Sequence, residues 1–251
     1  MTLNISFISL GCDKNLVDSE VMLYLLKKAG FSLISDESLA DIIVINTCCF
    51  IQDAKEESIE NILEAAEYKK HGNCKILIVT GCMAERYKEE ILSEIPEVDA
   101  IVGTTSCKEI VDVVKEAIKG KKVQKFSDIN IRLNEQYERI LTTAGYYGYL
   151  KISEGCNNAC TYCVIPKIRG TYRSRSIESL IKEVNYLVNQ GVRELIIVAQ
   201  DTTRYGIDLY GEKRLPMLLK ELCKIEDLKW IRLLYTYPEE ITDELIEVIA
   251  T

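Results

Sequence analysis

The chain has 251 residues, 47% of them hydrophobic, with only four prolines and a formal net charge of −8. That length and composition describe an ordinary folded protein of one large domain or two medium ones, each with a core of its own. The negative charge argues against holding nucleic acid mainly by phosphate neutralisation, other than through a local basic patch, and favours a basic protein partner. Ten cysteines are too few for a small disulfide scaffold and more than an average cytosolic protein needs, so bound metal is expected. The opening MTLNISFISLGC lacks the basic n-region of a secretion signal, and no apolar run approaches the ~20 residues of a membrane span. A cytoplasmic location with reduced thiols and no membrane association is therefore expected.

From residue 3 to about residue 120 short apolar runs alternate with amphipathic stretches, the pattern of a parallel α/β sheet. ISFISL, DIIVIN, KILIVT and DAIVG are the strand candidates. SEVMLYLLKKAG and AKEESIENILEAAEYKKHG are the helices between them, each closing on a glycine, the second with acids early and lysines late. Cys12 follows the first strand through Leu-Gly, Cys48 the second through Thr47, and Cys82 the third through Gly81. Parallel strands all end on one edge of their sheet, so these three cysteines, 36 and 34 positions apart, are expected to converge in the crevice where open α/β sheets bind ligands. A single such cysteine is more often a buried small hydrophobe. Cys49, Cys74, Cys107 and Cys223 have no such placement and read as core, and His71 reads as solvated.

Residues 121–141 are polar and weakly periodic, as a linker is. This gives an N-terminal domain over 1–120, a linker, and a second domain over 142–251. In the second domain YYGYLKIS reads as a strand and SIESLIKEVNYLVNQG as a helix opened by Ser176 and stopped by Gly191. Strand VRELIIVAQ, loop DTTRYGIDLYG, helix LPMLLKELCKI, strand KWIRLLYTYP and helix TDELIEVIAT complete three strand-helix units of an incomplete βα barrel. At the end of the first of these strands lies SEGCNNACTYCVIP, with Cys156, Cys160 and Cys163 in C-x3-C-x2-C spacing. Three thiolates suit three corners of a cubane iron-sulfur cluster and leave one iron free, with zinc and a distant fourth ligand as the rival. The following PKIRGTYRSRS holds Lys167, Arg169, Arg173 and Arg175 with no acid from Val164 to Ile177. It reads either as a solvated basic loop or as a patch steering a carboxylate.

C-x3-C-x2-C with an aromatic residue, Tyr162, just before the last cysteine resembles the radical S-adenosylmethionine enzymes. SLGCDKNLVDSE, NTCCFIQDAKEES and TGCMAERY resemble the three cysteine segments of the methylthiotransferase N-terminal domain, so the resemblance covers essentially the whole chain. QDTTRYGIDLYG, SEGCNNACTYCVIPKIRGTYRSRS and LLYTYPEEITDELI look most like the branch acting on a ribosomal protein rather than its transfer-RNA siblings; Asp13 departs from the proline common in that branch. The resemblance implies two [4Fe–4S] clusters, one on Cys12, Cys48 and Cys82 and one on Cys156, Cys160 and Cys163, each with an open iron. It implies S-adenosylmethionine as both radical precursor and methyl donor, with Tyr162 near the adenine. Gln200 and Asp201, which end a strand on the cluster's edge, are expected to line the cofactor site.

The implied reaction inserts sulfur and a methyl group at the β-carbon of an aspartate in small-subunit ribosomal protein twelve, through a 5′-deoxyadenosyl radical. No catalytic acid or base is assigned. An electron donor such as flavodoxin or ferredoxin and a monomeric state are expected. A transfer-RNA adenosine methylthiotransferase is the nearest alternative; a non-enzymatic iron-sulfur carrier or a zinc-binding scaffold is the remoter one. Family members carry roughly three further strand-helix units and a TRAM domain. On that ground this chain is expected to load its second cluster poorly and to turn over little.

Overall fold

The computed structural model describes residues 3–131, 135 and 138–251. By contact density the chain divides into two compact units, Met1–Ile131 with Lys167–Arg169, and Arg132–Pro166 with Gly170–Thr251. Part of the segment read as a linker, 132–134 and 136–137, lies outside the described residues.

The first unit runs β1 (Asn4–Ser9), α1 (Asp13–Lys28), β2 (Ser32–Ile34), β3 (Ile42–Thr47), α2 (Gln52–His71), β4 (Ile76–Gly81), α3 (Cys82–Arg86), α4 (Lys88–Glu94), β5 (Ala100–Val102), α5 (Ile110–Ile118) and β6 (Val123–Lys125). Its six strands lie in the order β2-β1-β3-β4-β5-β6, all parallel. The α/β architecture is the one the alternating runs predict. Ile42 and Val44 of β3 and Ile76 and Ile78 of β4 share a core with Met22 and Leu26 of α1 and Val113 and Val114 of α5. Successive strand residues face opposite ways, so Ile43, Ile45, Leu77 and Val79, all completely buried, occupy the other face. There α2 packs on β3 and β4. Both faces being covered explains why these strands are continuous apolar runs rather than alternating ones.

Three details differ from the sequence expectation. Helix α1 begins at Asp13, six residues before SEVMLYLLKKAG, with Cys12 as its extended N-cap residue (φ −91, ψ 170). Lys14, Asn15 and Asp18 lie ahead of the helix expected from the sequence, yet all three are buried, because this turn of helix lines the first cysteine site. The strands β2 and β6 have three residues each, too few to show a period, and β6 arises from the start of the segment read as a linker.

The second unit runs β7 (Tyr147–Lys151), β8 (Ser153–Glu154), α6 (Ile165–Arg169), β9 (Arg173–Ser174), α7 (Ile177–Asn189), β10 (Glu194–Val198), α8 (Ile207–Tyr210), α9 (Leu215–Leu222), β11 (Trp230–Leu233) and α10 (Asp243–Ala250), the last three residues of α6 belonging to the first unit. Parallel strands order as β7-β10-β11, and each is followed by a helix, α7, α9 and α10, as in a βα partial barrel. Leu150, Leu180, Leu187, Leu195, Ile197 and Leu218 form the core. Ser176 caps α7 by accepting from Ser179 N at 3.2 Å. The loop DTTRYGIDLYG contains the short α8, and its Tyr205 is completely buried, with its hydroxyl donating to Arg175 O at 2.7 Å. An antiparallel β8–β9 pair, unforeseen in two-residue strands, brackets the second cysteine loop. No described helix is long and apolar enough to cross a membrane.

At Gly81, where β4 turns into α3, φ is +92 and ψ is −156, a region essentially confined to glycine. A Cβ there would lie 2.3 Å from Asn46 Oδ1 and 2.5 Å from Thr47 O. Gly81→Ala is therefore expected to destabilise the chain by about 1–3 kcal/mol or more. An unchanged denaturant midpoint would contradict this account of the turn.

Two candidate three-cysteine sites

In the first unit Cys12, Cys48 and Cys82 each follow the end of a parallel strand, β1, β3 and β4 respectively. Cys48 and Cys82 are buried and Cys12 is partly exposed. Gly11, at φ +86, approaches so closely that a Cβ on it would lie 3.0 Å from Cys48 Sγ. The strand ends are tied together by polar side chains. Asn15 Nδ2 donates to Leu10 O at 2.7 Å and to Thr47 O at 3.2 Å, joining the segments that precede Cys12 and Cys48. Thr47 Oγ1 donates to Thr80 O at 2.5 Å, joining the segment that precedes Cys82. Asn46 Nδ2 donates back to Asn15 O at 2.9 Å and to Ser19 Oγ at 2.8 Å. Ser58 Oγ accepts from Cys48 N at 3.0 Å and donates to Cys48 O at 2.8 Å.

Burial pushes the Cys82 thiol up, the Arg169 guanidinium pulls it back, and Cys48 and Cys12 are close enough to raise it again. Cys49, beside Cys48, is buried and its thiol is pushed up to about 12, first by burial and then by Cys82. Cys74 is buried as the core reading has it. Cys223, read as core, is instead exposed, because it follows α9 at a helix end, where a side chain turns outward. His71 is exposed and faces Glu67.

In the second unit the loop Cys156–Cys163 leaves β8 and is folded around Asn158. Asn158 N donates to Cys156 Sγ at 3.4 Å, and Cys160 Sγ donates to Asn158 O at 3.7 Å. Cys163 N donates to Cys160 O at 3.0 Å, and Ala159 takes a left-handed φ of 43. The Asn158 side chain donates to Asp201 Oδ2 at 3.0 Å and accepts from Arg204 at 3.4 Å. Asp201 is completely buried; its other oxygen accepts from Thr203 N at 3.1 Å and Thr203 Oγ1 at 2.5 Å. Tyr172, pushed up by burial, donates its hydroxyl to Asp201 O at 2.8 Å, while its N–H donates to Asn157 Oδ1 at 2.9 Å. Burial also pushes the Cys156 thiol up, the Asn158 N–H lowers it, and Asp201, Cys163 and Cys160 raise it. Tyr162 is 88% exposed, its ring free of the protein interior. Gln200 lies partly exposed at the end of β10, but the Asp201 carboxylate is committed to protein donors.

Among the basic residues of PKIRGTYRSRS only Lys167 is exposed; the three arginines are neither solvated nor a steering patch. Arg169, Arg173 and Arg175 are buried. Arg175 donates to Glu183 Oε2 at 2.5 Å, to Ser179 Oγ at 3.0 Å and to Lys151 O at 3.1 Å. Glu183 also pairs with Arg139 Nε at 3.0 Å. Arginine is suited to this because its planar fork satisfies several acceptors at once. The sequence shows the charges but not the distant carboxylates that absorb them.

Among the described residues no three His, Cys, Asp or Glu side chains are drawn together closely enough for a single metal ion. A lone ion demands metal–sulfur bonds of about 2.3 Å around one centre, whereas a cubane takes each thiolate at a separate corner. Three cysteines gathered at strand ends, without other ligating side chains, are a donor set that fits a [4Fe–4S] cluster with one open iron. Asn15, Asn158, Tyr172 and Thr203 escape sequence reasoning; the signal that marks the two asparagines is that each lies within a few residues of a cysteine.

Asp201→Ala leaves the Thr203 N–H, the Thr203 hydroxyl and the Asn158 amide without their acceptor, at about 1–3 kcal/mol for a buried group so exposed. The cluster-free variant is expected to have a lower denaturant midpoint and faster alkylation of Cys156 and Cys160. Unchanged alkylation would mean that the loop is held by other contacts.

Residues 4–103 match the uncharacterized protein family UPF0004, and residues 150–251 match the Radical SAM superfamily. The chain is 60% identical over 249 residues to the ribosomal protein uS12 methylthiotransferase RimO of Lachnoclostridium phytofermentans, covering 99% of this chain and 57% of that protein. It is 55% identical to the RimO protein of Clostridioides difficile and 54% identical to that of Thermoanaerobacter sp., each over 98% of this chain and 56% of the relative. The chain thus spans a little over half the length of the curated relatives it matches. Among solved structures, the radical S-adenosylmethionine methyltransferase TsrM from Kitasatospora setae shares the fold at a TM-score of 0.65 and 11% identity, over 99% of this chain and 57% of that one. The cobalamin-dependent S-adenosylmethionine radical enzyme OxsB does so at 0.55 and 14%, over 99% and 41%. Both family segments lie in order in this chain and the curated RimO proteins align along nearly all of it, so the chain resembles, over almost its whole length, part of the RimO radical S-adenosylmethionine methylthiotransferases.

Proposed function

We propose that the chain is the cluster-bearing part of a methylthiotransferase that modifies ribosomal protein uS12. The observation that carries this reading is the pair of separate three-cysteine sets, each at the carboxyl edge of a parallel sheet. Cys12, Cys48 and Cys82 would hold one [4Fe–4S] cluster and Cys156, Cys160 and Cys163 the other. When bound, the second cluster and S-adenosylmethionine supply one-electron chemistry capable of taking hydrogen from an unactivated carbon. The finer reading places the modification at the β-carbon of an aspartate, with the sulfur carried at the first site and a second S-adenosylmethionine as methyl donor.

The chain's own residues bind, orient and exclude water. Asp201, itself held by Thr203, holds Asn158, and Asn158 shapes the loop that presents the three thiolates. Asp201 thus acts through the loop, while the exposed ring of Tyr162 and the partly exposed Gln200 are the side chains available to the cofactor. All the supports of this loop described above lie within the chain. We therefore take the second site to load as the chain stands, revising the expectation of poor loading. A net charge of −8 favours encounter with a basic ribosomal protein, a small flavodoxin or ferredoxin is the proposed electron source, and the chain is taken to act as a monomer.

The test is S-adenosylmethionine binding by the anaerobically reconstituted chain, coupled to a mass assay on uS12 using a full-length relative with matching substitutions. Replacing Cys156, Cys160 and Cys163 by alanine is expected to abolish both binding at the second site and the methylthio mass shift. Alanine at Cys12, Cys48 and Cys82 is expected to abolish the mass shift while leaving second-site binding intact. A methylthio product from either triple variant would contradict the proposal.

A further inference from the structure

Arg169 stands apart from the other buried arginines. Together with Lys167 and Ile168 it folds with the first unit, where Thr104 Oγ1 donates to Ile168 O at 2.8 Å. Its side chain is 2% exposed. One nitrogen donates to Asp18 Oδ2 at 2.7 Å; the other donates to Asn15 Oδ1 at 2.9 Å and to Cys82 Sγ at 3.4 Å. The fork is held on two sides by α1, so its third donation to sulfur is fixed in direction. Asn15, which accepts from the guanidinium, is the same side chain that ties the segments ahead of Cys12 and Cys48.

We infer that Arg169 is a positioning residue of the first cysteine site, which fixes Cys82 and raises the reduction potential of the group held there by donating a charged hydrogen bond to its sulfur. The inference rests on the reading of that site as a cluster site. Hydrogen bonds to sulfur and local net charge are the principal protein levers on cluster potential. Reduction adds one negative charge, so a guanidinium at a ligand sulfur favours the reduced form, and a carboxylate beside it opposes this. Arg169 and Asp18 therefore act with opposite signs.

The experiment uses this chain with Cys156, Cys160 and Cys163 replaced by alanine, so that only the first site is loaded, and reads the midpoint potential by anaerobic redox titration followed by electron paramagnetic resonance. Arg169→Met is expected to lower the ratio of reduced to oxidised cluster about tenfold at a fixed potential, a shift of about 59 mV to more negative values for one electron. Asp18→Asn, which keeps the guanidinium and its bond to Cys82, is expected to shift the potential the other way. An unchanged potential in Arg169→Met, or shifts of the same sign in both variants, overturns the inference. Should Arg169→Met fail to load, Asp18→Asn decides alone: a potential at or below that of the parent overturns it. A parent chain that takes up no iron on Cys12, Cys48 and Cys82 overturns the reading of the site itself, an outcome distinct from loading without a shift.

Discussion

The ends of parallel strands govern this molecule. A parallel sheet delivers every strand to one edge, so residues dozens of positions apart in sequence meet there at no cost in special loop geometry. In the first unit β1, β3 and β4 deliver Cys12, Cys48 and Cys82 in this way. In the second, the loop of Cys156, Cys160 and Cys163 starts just past β7 and β8, and Asp201 follows β10, the neighbour of β7. In the first unit the fully buried strands β3 and β4 fix the sheet, and the sheet fixes where the thiols begin.

Backbone placement alone would leave the thiols loosely held, and in each unit an asparagine takes up the remainder, the buried Asn15 in the first and the partly buried Asn158 in the second. The Asn15 side chain bonds the carbonyls ahead of two cysteines; the Asn158 side chain bonds the Asp201 carboxylate and so holds the backbone N–H and carbonyl that meet Cys156 and Cys160. An amide suits the position because it offers donors and acceptors at once without adding charge beside thiolates. Both asparagines are backed by charged groups with their own partners, Arg169 with Asp18 and Asp201 with Thr203. A preorganised ligand loop supported by a second layer of hydrogen bonds is what precise cluster binding requires.

The parallel α/β class, the strand-end cysteines and the cysteine loop were legible because each depends on local pattern: apolar runs, glycine stops and close spacing. What was not legible depends on partners far away in sequence. Lys14, Asn15 and Asp18 lie ahead of the helix expected from the sequence, and only the fold shows α1 burying them at the site. Arg169 looks like part of a solvated basic stretch until Asp18, 151 positions away, absorbs its charge; Glu183, which absorbs that of Arg175, lies on the helix that follows and faces back toward it only in the fold. Asp201 was expected to meet the cofactor because it ends a strand, and the same position also buries it and turns it toward Asn158 and Thr203. Strands of two or three residues, such as β2, β6, β8 and β9, carry too few side chains to display a period.

Two separate ligand sets, each holding its own cluster, are tested most directly by iron and sulfide counting on the anaerobically reconstituted chain, beside the Cys12/Cys48/Cys82→Ala and Cys156/Cys160/Cys163→Ala triple variants. About eight irons per chain, falling to about four in either triple variant and to none in their combination, is the predicted result for two [4Fe–4S] clusters. Iron content that is insensitive to one of the two triple substitutions would contradict it.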